Sequence, residues 1–188
     1  SRRASRSDRV RLATYNVEWF DALFDDQGRL YMDAEPSARH GVSRAEQARA
    51  LGRVFAELDA DAVLVVEAPD TNARRDTTRA LTYFATAFDL RCRAVLTGFT
   101  NDTQQELALL YDPAVLNLRH DPQAGPHAPR FDGVFRIDLD IDATEDRVTF
   151  SKPPLEVEAV TPGGRVLRLI GRISNPRRRM ARWGRTGS

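Results

Sequence analysis

Three oxygen-bearing side chains stand where two apolar segments of the sequence end. Asn16 and Glu18 follow the apolar stretch that begins at Val10, and Glu67 closes the run AVLVVE of residues 62–67. An amide and a carboxylate two positions apart lie on the same side of an extended chain. Because Mg²⁺ prefers oxygen ligands of this kind, these side chains are a candidate cation site. The alternatives are a turn-forming asparagine at position 16 and a loop or helix-capping acid at position 67.

A strand–helix–strand unit must position these side chains. The sequence predicts a first strand over residues 10–16, and its unbroken β-branched run predicts a strand covered on both faces over residues 62–67. Between them, apolar residues recur at helical spacing over residues 44–58, behind a capping box of Ser43 and Glu46. A right-handed crossover makes the two strands parallel neighbours, so their carboxyl ends meet at one edge of the sheet.

The rest of the pattern predicts one more helix and several antiparallel strands. Residues 21–41 are polar and rich in turn formers, which predicts a long surface loop. A second helix is predicted over residues 74–88. Short strands are predicted at residues 92–97, 107–111, 115–119 and 134–141, and a hairpin at residues 155–160 and 166–170. Two parallel strands with helices outside, followed by antiparallel strands, indicate an α/β sandwich and not a doubly wound sheet.

Composition limits the class of protein. The chain has 188 residues, 41% hydrophobic and 29% charged, which fits one soluble globular domain with residues 1–9 as a disordered lead-in. No run approaches the roughly 18 apolar residues of a membrane helix, and the basic N-terminus lacks the apolar segment of a secretory signal. The single cysteine, Cys92, excludes an internal disulfide and favours a reducing, cytoplasmic compartment. The net charge of +1 gives no strong overall field for nucleic acid or membranes.

Five segments follow one another in an order that resembles a known family. They are ATYNVEWF, DADAVLVVEAPD, ELALLYDPAVL, FSKPPLEVEAV and VLRLIG. They resemble successive landmarks of the endonuclease/exonuclease/phosphatase family, which has the DNase-I-like fold, and the resemblance covers most of residues 10–171. It implies a four-layer α/β sandwich of mixed parallel and antiparallel strands. It also implies a hydrolase that cleaves phosphate esters with Mg²⁺ (or Mn²⁺), and DNA, RNA, inositol phosphates and sphingolipids are all substrates within the family.

The resemblance assigns roles to four residues. Asn16 matches the asparagine of the first motif, and Glu67 matches the metal-binding glutamate of the second. Glu18 falls where some members have a further acidic ligand. Lys152 stands where many members have an arginine before the proline, which implies a contact with phosphate; the alternative is an exposed lysine of an edge strand. The implied metal ligands are therefore Asn16, Glu18 and Glu67, and the implied catalytic residues are Asn16, Glu67 and Lys152.

The later motifs of the family are missing from this sequence. The family's catalytic histidines, its Asp-x-Asn motif and its terminal Ser-Asp-His have no counterpart. The three histidines, His40, His120 and His127, fall in predicted loops, and Arg172 stands where the first catalytic histidine is expected. Loss of general acid–base groups alone lowers a rate by about 10²–10⁴-fold. We therefore expect an incomplete domain over residues 10–171 with weak activity and an exposed sandwich face prone to aggregation.

The segment 172–188, RISNPRRRMARWGRTGS, has no hydrophobic period and has two interpretations. One is a basic, unstructured arm for nucleic acid. The other is out-of-frame translation. One choice of codons for these residues, read with the frame moved by one base, spells His-Leu-Gln-Ser-Lys, which resembles the family segment expected there. On this hypothesis the chain is a family member truncated after about residue 171.

Three functions follow from the sequence. The first is a metal-dependent phosphoesterase impaired by the missing motifs. The second is a non-catalytic module that binds nucleic acid through the arginine-rich tail, and the third is a fragment without a ligand. The sequence leaves the oligomeric state open.

Overall fold

The fold is described from a computed structural model that covers residues 9–71, 76–99, 106–126, 135–137, 146–148 and 154–173. It contains two α-helices, α1 (Arg44–Leu58) and α2 (Thr77–Ala87), within these residues. Its strands are β1 (Leu12–Asn16), β2 (Ala62–Ala68), β3 (Ala94–Thr97), β4 (Glu106–Tyr111), β5 (Asn117–His120), β6 (Phe135–Ile137), β7 (Asp146–Val148), β8 (Leu155–Val160) and β9 (Val166–Gly171).

The first sheet has the strand order β1-β2-β4-β3. Strands β1 and β2 are parallel, with Leu12 opposite Ala62 and Asn16 opposite Val66, so the predicted parallel pair is confirmed. Strand β4 runs antiparallel to both β2 and β3. Strands β1, β2 and β3 therefore all end at the same edge of the sheet, which we call the carboxyl edge.

The second sheet is antiparallel and has the order β5-β8-β9. Strands β8 and β9 form the predicted hairpin, and Gly164 takes a positive φ of 78° in its turn. Strands β6 and β7 form a separate antiparallel pair. The molecule is thus a mixed α/β structure with one mixed and one purely antiparallel main sheet.

Two hydrophobic clusters cover the two faces of the first sheet. On one face Val63 and Val65 of β2 pack with residues of α1 and α2, including Phe55 and Phe84. On the other face Leu64 and its neighbours pack with buried residues of β5 and β8. The layers therefore follow the order helices, mixed sheet, antiparallel sheet. The prediction that the run at residues 62–67 is covered on both faces is confirmed.

Helix α1 has the bounds that its sequence signals predict. The hydroxyl of Ser43 accepts a hydrogen bond from the backbone N–H of Glu46, and the Glu46 carboxylate accepts one from the backbone N–H of Ser43. Asp59, with a φ of 41°, ends the helix in the left-handed conformation. Close packing against α2 explains Gly52, because a Cβ there would lie within 3.0 Å of the Phe88 ring.

The prediction of a surface loop over residues 21–41 is wrong in its first part. Asp21–Leu23 forms a 3₁₀ helix, and Leu23 and Phe24 are buried in the helix-side cluster. Two apolar residues in a polar segment show no period, so the pattern did not reveal them. The first strand starts two residues later than predicted, at Leu12, and the second helix begins at Thr77. Cys92 lies before β3 as a buried residue of the preceding loop.

Two further predictions change in the second half of the chain. The strand predicted at residues 115–119 is observed at Asn117–His120, so His120 lies on a strand and not in a loop. Of the strand predicted at residues 134–141, Phe135–Ile137 is observed, and the remainder lies outside the described residues. Lys152, His127 and residues 174–188 also lie outside them.

A cluster of ion pairs closes the edge opposite the carboxyl edge. The Arg91 guanidinium contacts Asp61 at 2.8 Å, Asp112 at 2.9 Å and Asp59 at 3.2 Å. It also donates to the backbone carbonyl of Ala60 at 2.8 Å. Burial alone would lower the pKa of Arg91, but the hydrogen bonds to the aspartates raise it above its ordinary value. This Arg91 cluster joins the end of α1, the start of β2 and the end of β4.

The outward face of the second sheet is largely charged. Arg119 pairs with Glu158 at 2.8 Å, while Arg168 pairs with Asp121 at 2.9 Å and with Glu156. The hydrogen bond from Arg119 holds the pKa of Glu158 below its ordinary value. Val166 is nevertheless 60% exposed on this face. Ile170 is also exposed there at 49%, so this face carries both ion pairs and exposed apolar side chains.

Candidate functional site

Asn16 and Glu67 meet at the carboxyl edge. The Asn16 side-chain amide donates a hydrogen bond to Oε1 of Glu67 at 3.2 Å, across the ends of β1 and β2. Next to it, the backbone N–H of Val17 donates to the carbonyl oxygen of Val66 at 3.0 Å, which extends the parallel pairing. The structure thus brings together two predicted site residues that are 51 positions apart in sequence.

Glu67 has an unusual backbone conformation. Its φ is 59°, and the register of β2 against β4 shifts between Val65 and Ala68. A non-glycine residue at positive φ is uncommon, and a β-bulge changes the direction in which a side chain leaves the sheet. The bulge therefore sets the position of the carboxylate beside Asn16. Strain of this kind is concentrated at functional sites in proteins.

The loops after β1 and β2 are tied together. The backbone N–H of Asp70 donates to a carboxylate oxygen of Asp21 at 2.9 Å. The hydroxyl of Thr77, the first residue of α2, donates to the carbonyl oxygen of Pro69. These bonds fix the two loops that surround the Asn16–Glu67 pair to each other and to the helix layer.

The turn after β1 presents Glu18 and Trp19 to solvent. Val17 and Phe20 are each 1% exposed and anchor the two ends of the turn. Between them Trp19 has a φ of 62° and is 57% exposed. The side-chain amide of buried Gln47 donates to the carbonyl oxygen of Glu18 at 3.5 Å. The turn is therefore anchored by two buried apolar residues and by a hydrogen bond from α1.

The predicted metal-ligand set is assembled only in part. Asn16 and Glu67 are in contact, whereas Glu18 lies on the adjoining turn with an exposed side chain. In the part of the chain that the structure describes, no three His, Cys, Asp or Glu side chains are grouped closely enough to hold a metal ion. The pair itself offers Oδ1 of Asn16 and Oε2 of Glu67. One carboxylate and one amide suit Mg²⁺, which binds few protein ligands and keeps several waters.

The ends of the second sheet reach the same edge. A Cβ on Gly171 would lie 2.8 Å from Leu64 of β2, so the end of β9 packs directly on the strand that carries Glu67. Arg172, which stands where the family resemblance expects a histidine, follows this contact and is exposed. On the other side, a Cβ on Gly98 would lie 3.4 Å from Nε2 of His120.

Sequence reasoning missed three residues at this edge. His120 has a buried Nε2 with no hydrogen-bond partner among the described residues, and its ring contacts Phe99 edge to face with centroids 4.9 Å apart. Phe99 and Trp19 are both exposed there. The alternation of buried Leu116 and Leu118 could have extended the predicted strand to His120. No comparable pattern marks Trp19 or Phe99.

Comparisons of the chain with family models, with curated proteins and with solved structures give no match. The family resemblance therefore stays a prediction that rests on the residues themselves. Neither helix of the described part of the chain is long and apolar enough to cross a membrane.

Proposed function

We propose that the chain is a Mg²⁺-dependent phosphoesterase whose site is formed by Asn16 and Glu67, with Mn²⁺ as an alternative cation. The observation that carries the proposal is the hydrogen bond between these two side chains at the ends of adjacent parallel strands. The finer fold assignment, a DNase-I-like sandwich, belongs to the same proposal. It is supported by the layer order of helices, mixed sheet and antiparallel sheet.

The roles of the residues follow from their atoms. Oε2 of Glu67 and Oδ1 of Asn16 would hold the cation, which when bound neutralises charge on the phosphoryl oxygens. The Asn16 N–H fixes the orientation of the Glu67 carboxylate through its other oxygen. Glu18, on the neighbouring turn, would contact the cation through water. Lys152 remains a proposed phosphate contact from the sequence.

Turnover is expected to be slow. In the described part of the chain no histidine hydrogen-bonds to the Asn16–Glu67 pair, so no histidine is in place there as a general acid or base. Such a group contributes about 10²–10⁴-fold to a rate. Metal binding should therefore be easier to detect than hydrolysis, and both are needed to test the proposal.

The test compares two isosteric substitutions. Glu67→Gln removes the charge from the proposed site, whereas Glu57→Gln removes a charge from the exposed face of α1 near its end, at the opposite edge. The two readouts are Mn²⁺ binding, followed by electron paramagnetic resonance, and hydrolysis of bis(p-nitrophenyl) phosphate in the presence of Mg²⁺. Glu67→Gln should weaken Mn²⁺ binding at least about tenfold and abolish the Mg²⁺-dependent rate, and Glu57→Gln should change neither. Equal Mn²⁺ affinity in both variants, or hydrolysis that survives Glu67→Gln, refutes the proposal.

The alternative function, binding of nucleic acid by the arginine-rich tail, concerns residues 174–188 outside the described structure and stays a prediction. It predicts salt-dependent binding that is lost on truncation at Gly171.

A further inference from the structure

Strand β1 leaves one side of the first sheet open. It is the end strand in the order β1-β2-β4-β3, and β2 is its one neighbour within the described residues. The carbonyl oxygen of Arg11 and the backbone N–H of Val17 form their hydrogen bonds on the β2 side. Because backbone groups alternate in direction along a strand, those of Leu12, Thr14 and Asn16 point away from β2. Three residues of β1 can therefore pair with a further strand.

This edge lacks the features that usually prevent an exposed strand from pairing. Its sequence, LATYN, contains no charged residue, proline or glycine, and its register against β2 is unbroken. Leu12 is 47% exposed. The opposite edge strand of the sheet, β3, is shorter and has no exposed side chain. Strand β9, at an edge of the second sheet, carries Arg168 near its centre. Strand β1 is thus the long, uncharged edge of the described structure.

Helix α1 presents an apolar row of residues on the same flank. Ala50, Val54 and Leu58 recur every four residues and therefore lie along one side of the helix. Gly52 faces the ring of Phe88, at the end of α2. Val54 follows Gly52 by two residues, about 200° around the helix, and so points away from α2. Its side is 39% exposed and lies at the outer flank of the helix layer.

The strand and the helix have their centres at a similar level. The rings of Tyr15 and Phe55 are in contact, with centroids 5.6 Å apart, so α1 lies over β1. Tyr15 follows Thr14, the middle residue of β1, and Phe55 follows Val54, the middle residue of the apolar row. A two-fold axis perpendicular to the sheet and beside Thr14 would therefore also pass close to Val54.

We propose that two copies of the chain form a symmetric dimer in which their β1 strands pair antiparallel and their α1 helices pack side by side. Thr14 then lies opposite its own equivalent, and Leu12 lies opposite Asn16. Cross-strand pairs of threonine are favourable in antiparallel sheets. A two-fold interface requires one surface to be complementary to itself, and this register meets that requirement. The inference does not depend on the proposed phosphoesterase function.

The surface of α1 is complementary to itself in size and in charge. With the axis close to Val54, the small side chain of Ala50 faces the larger Leu58 of the second copy. Arg53 and Glu57 border the apolar row and line the same surface depression. In the antiparallel arrangement, Arg53 of each copy lies beside Glu57 of the other, which gives two ion pairs at the rim. A second copy therefore matches both the strand edge and the helix flank.

The first experiment measures the mass of the full chain by sedimentation equilibrium over a range of concentrations. The mass should approach twice the 21.1 kDa of one chain and stop there, because a two-fold interface closes on itself. Val54→Glu places two like charges at the centre of the interface and should raise the dimer dissociation constant at least about a hundredfold. The matched control is Tyr83→Glu, which adds the same charge to an exposed position of α2 and should leave this constant unchanged.

A charge exchange tests the contact between the helices. Arg53→Glu and Glu57→Arg should each raise the dissociation constant by about three- to tenfold, because each variant replaces two rim ion pairs by like-charge contacts. A mixture of the two variants should form a heterodimer with the affinity of the unaltered chain. Within each variant helix the charges still repel, so recovery in the mixture reports a contact between copies. Circular dichroism checks that α1 remains folded.

Cross-linking tests the register of the strands. Hydrogen-bonded antiparallel partners have Cα atoms about 5.5 Å apart, within the range of a disulfide. The thiol oxidant diamide should therefore link two copies of Thr14→Cys. The matched control is Leu12→Cys, whose equivalents lie about 14 Å apart in this register and should not be linked. The natural cysteine, Cys92, is buried.

Four outcomes overturn the inference. They are a monomer at all concentrations up to about 100 μM, a mass that keeps rising beyond two copies, equal dissociation constants for Val54→Glu and Tyr83→Glu, and equal cross-linking of Thr14→Cys and Leu12→Cys. If Val54→Glu does not fold, the mixture of charge variants and the cross-link decide the question.

Discussion

Substitution of Arg91 by alanine should destabilise the chain strongly, because its guanidinium pairs with three aspartates. Two of these aspartates are buried: the side chain of Asp61 is 1% exposed and that of Asp112 is 8% exposed. Removing one partner of a buried ion pair costs about 3–5 kcal/mol, because it leaves uncompensated charge. The Arg91 side chain is itself 29% exposed, so solvent screens part of this cost and we expect about 3 kcal/mol.

The assay is urea unfolding at pH 7, followed by circular dichroism. With an m value of about 2 kcal/mol/M, the expected loss corresponds to a midpoint lowered by about 1.5 M. The matched control is Arg119→Ala, since Arg119 also pairs with two carboxylates but has a 63% exposed side chain. That variant should unfold at nearly the same midpoint as the unaltered chain.

Arg91→Lys provides a second test that does not depend on the stability of the alanine variant. Lysine keeps the charge but cannot reproduce the planar fork of donors that reaches several acceptors at once, so an intermediate midpoint is expected. The reasoning is refuted if Arg91→Ala and Arg119→Ala shift the midpoint equally. Burial of the aspartates would then make no difference to the free energy of unfolding that their arginine partner contributes.

Three other predictions follow from the packing and the pKa shifts. Gly52→Ala should destabilise the chain by about 1–3 kcal/mol despite a helix-propensity gain of about 1 kcal/mol, because of the clash with Phe88. In a Phe88→Ala background, the substitution Gly52→Ala should lower the urea midpoint by less than it does in the unaltered chain. Hydrogen bonds from Ser43 lower the pKa of Glu46 from 4.5, so its contribution is present above pH 4.5 and is lost as the pH falls through the folded-state pKa. Melting temperatures of the unaltered chain and Glu46→Gln should differ at pH 6, and the difference should shrink as the pH falls below 4.5; a constant difference would contradict this. Burial raises the pKa of Cys92 from 9.0 to about 11, so its thiol should react with a disulfide reagent at pH 8 at least about a hundredfold more slowly than in guanidinium, and equal rates would contradict its burial.

Local signals predicted the first half of the fold well. Helix α1 was predicted to the residue because Ser43, Glu46 and Asp59 mark its ends chemically, and the β-branched run marked β2. The parallel pairing of β1 and β2 then followed from connection rules, and so did the proximity of Asn16 and Glu67. The layer order also agrees with the predicted sandwich in its coarse form.

Features that depend on distant contacts could not be predicted in this way. The Arg91 cluster joins residues from three separate loops, and nothing local to Arg91 indicates its partners. The bulge at Glu67 arises from pairing with β4, and the conformation of Trp19 arises from buried neighbours on both sides. The sequence therefore predicted the central pair of the candidate site, Asn16 and Glu67, but not the conformation of the residues around it.

The central strands β2 and β4 contribute side chains to both hydrophobic clusters, with Val63, Val65 and Leu110 on one face and Leu107 and Leu109 on the other. Neither the helix layer nor the second sheet can detach without exposing one face of these two strands to water. Because β2 and β4 pack against both layers, opening of the helix layer and opening of the second sheet should be energetically coupled. The backbone amide protons of β2 and β4 should therefore be the last to exchange with deuterated solvent. Glu67 lies at the bulge where the regular pairing of β2 with β4 is interrupted, so the group proposed for chemistry is attached to a strand whose other residues we expect to open rarely.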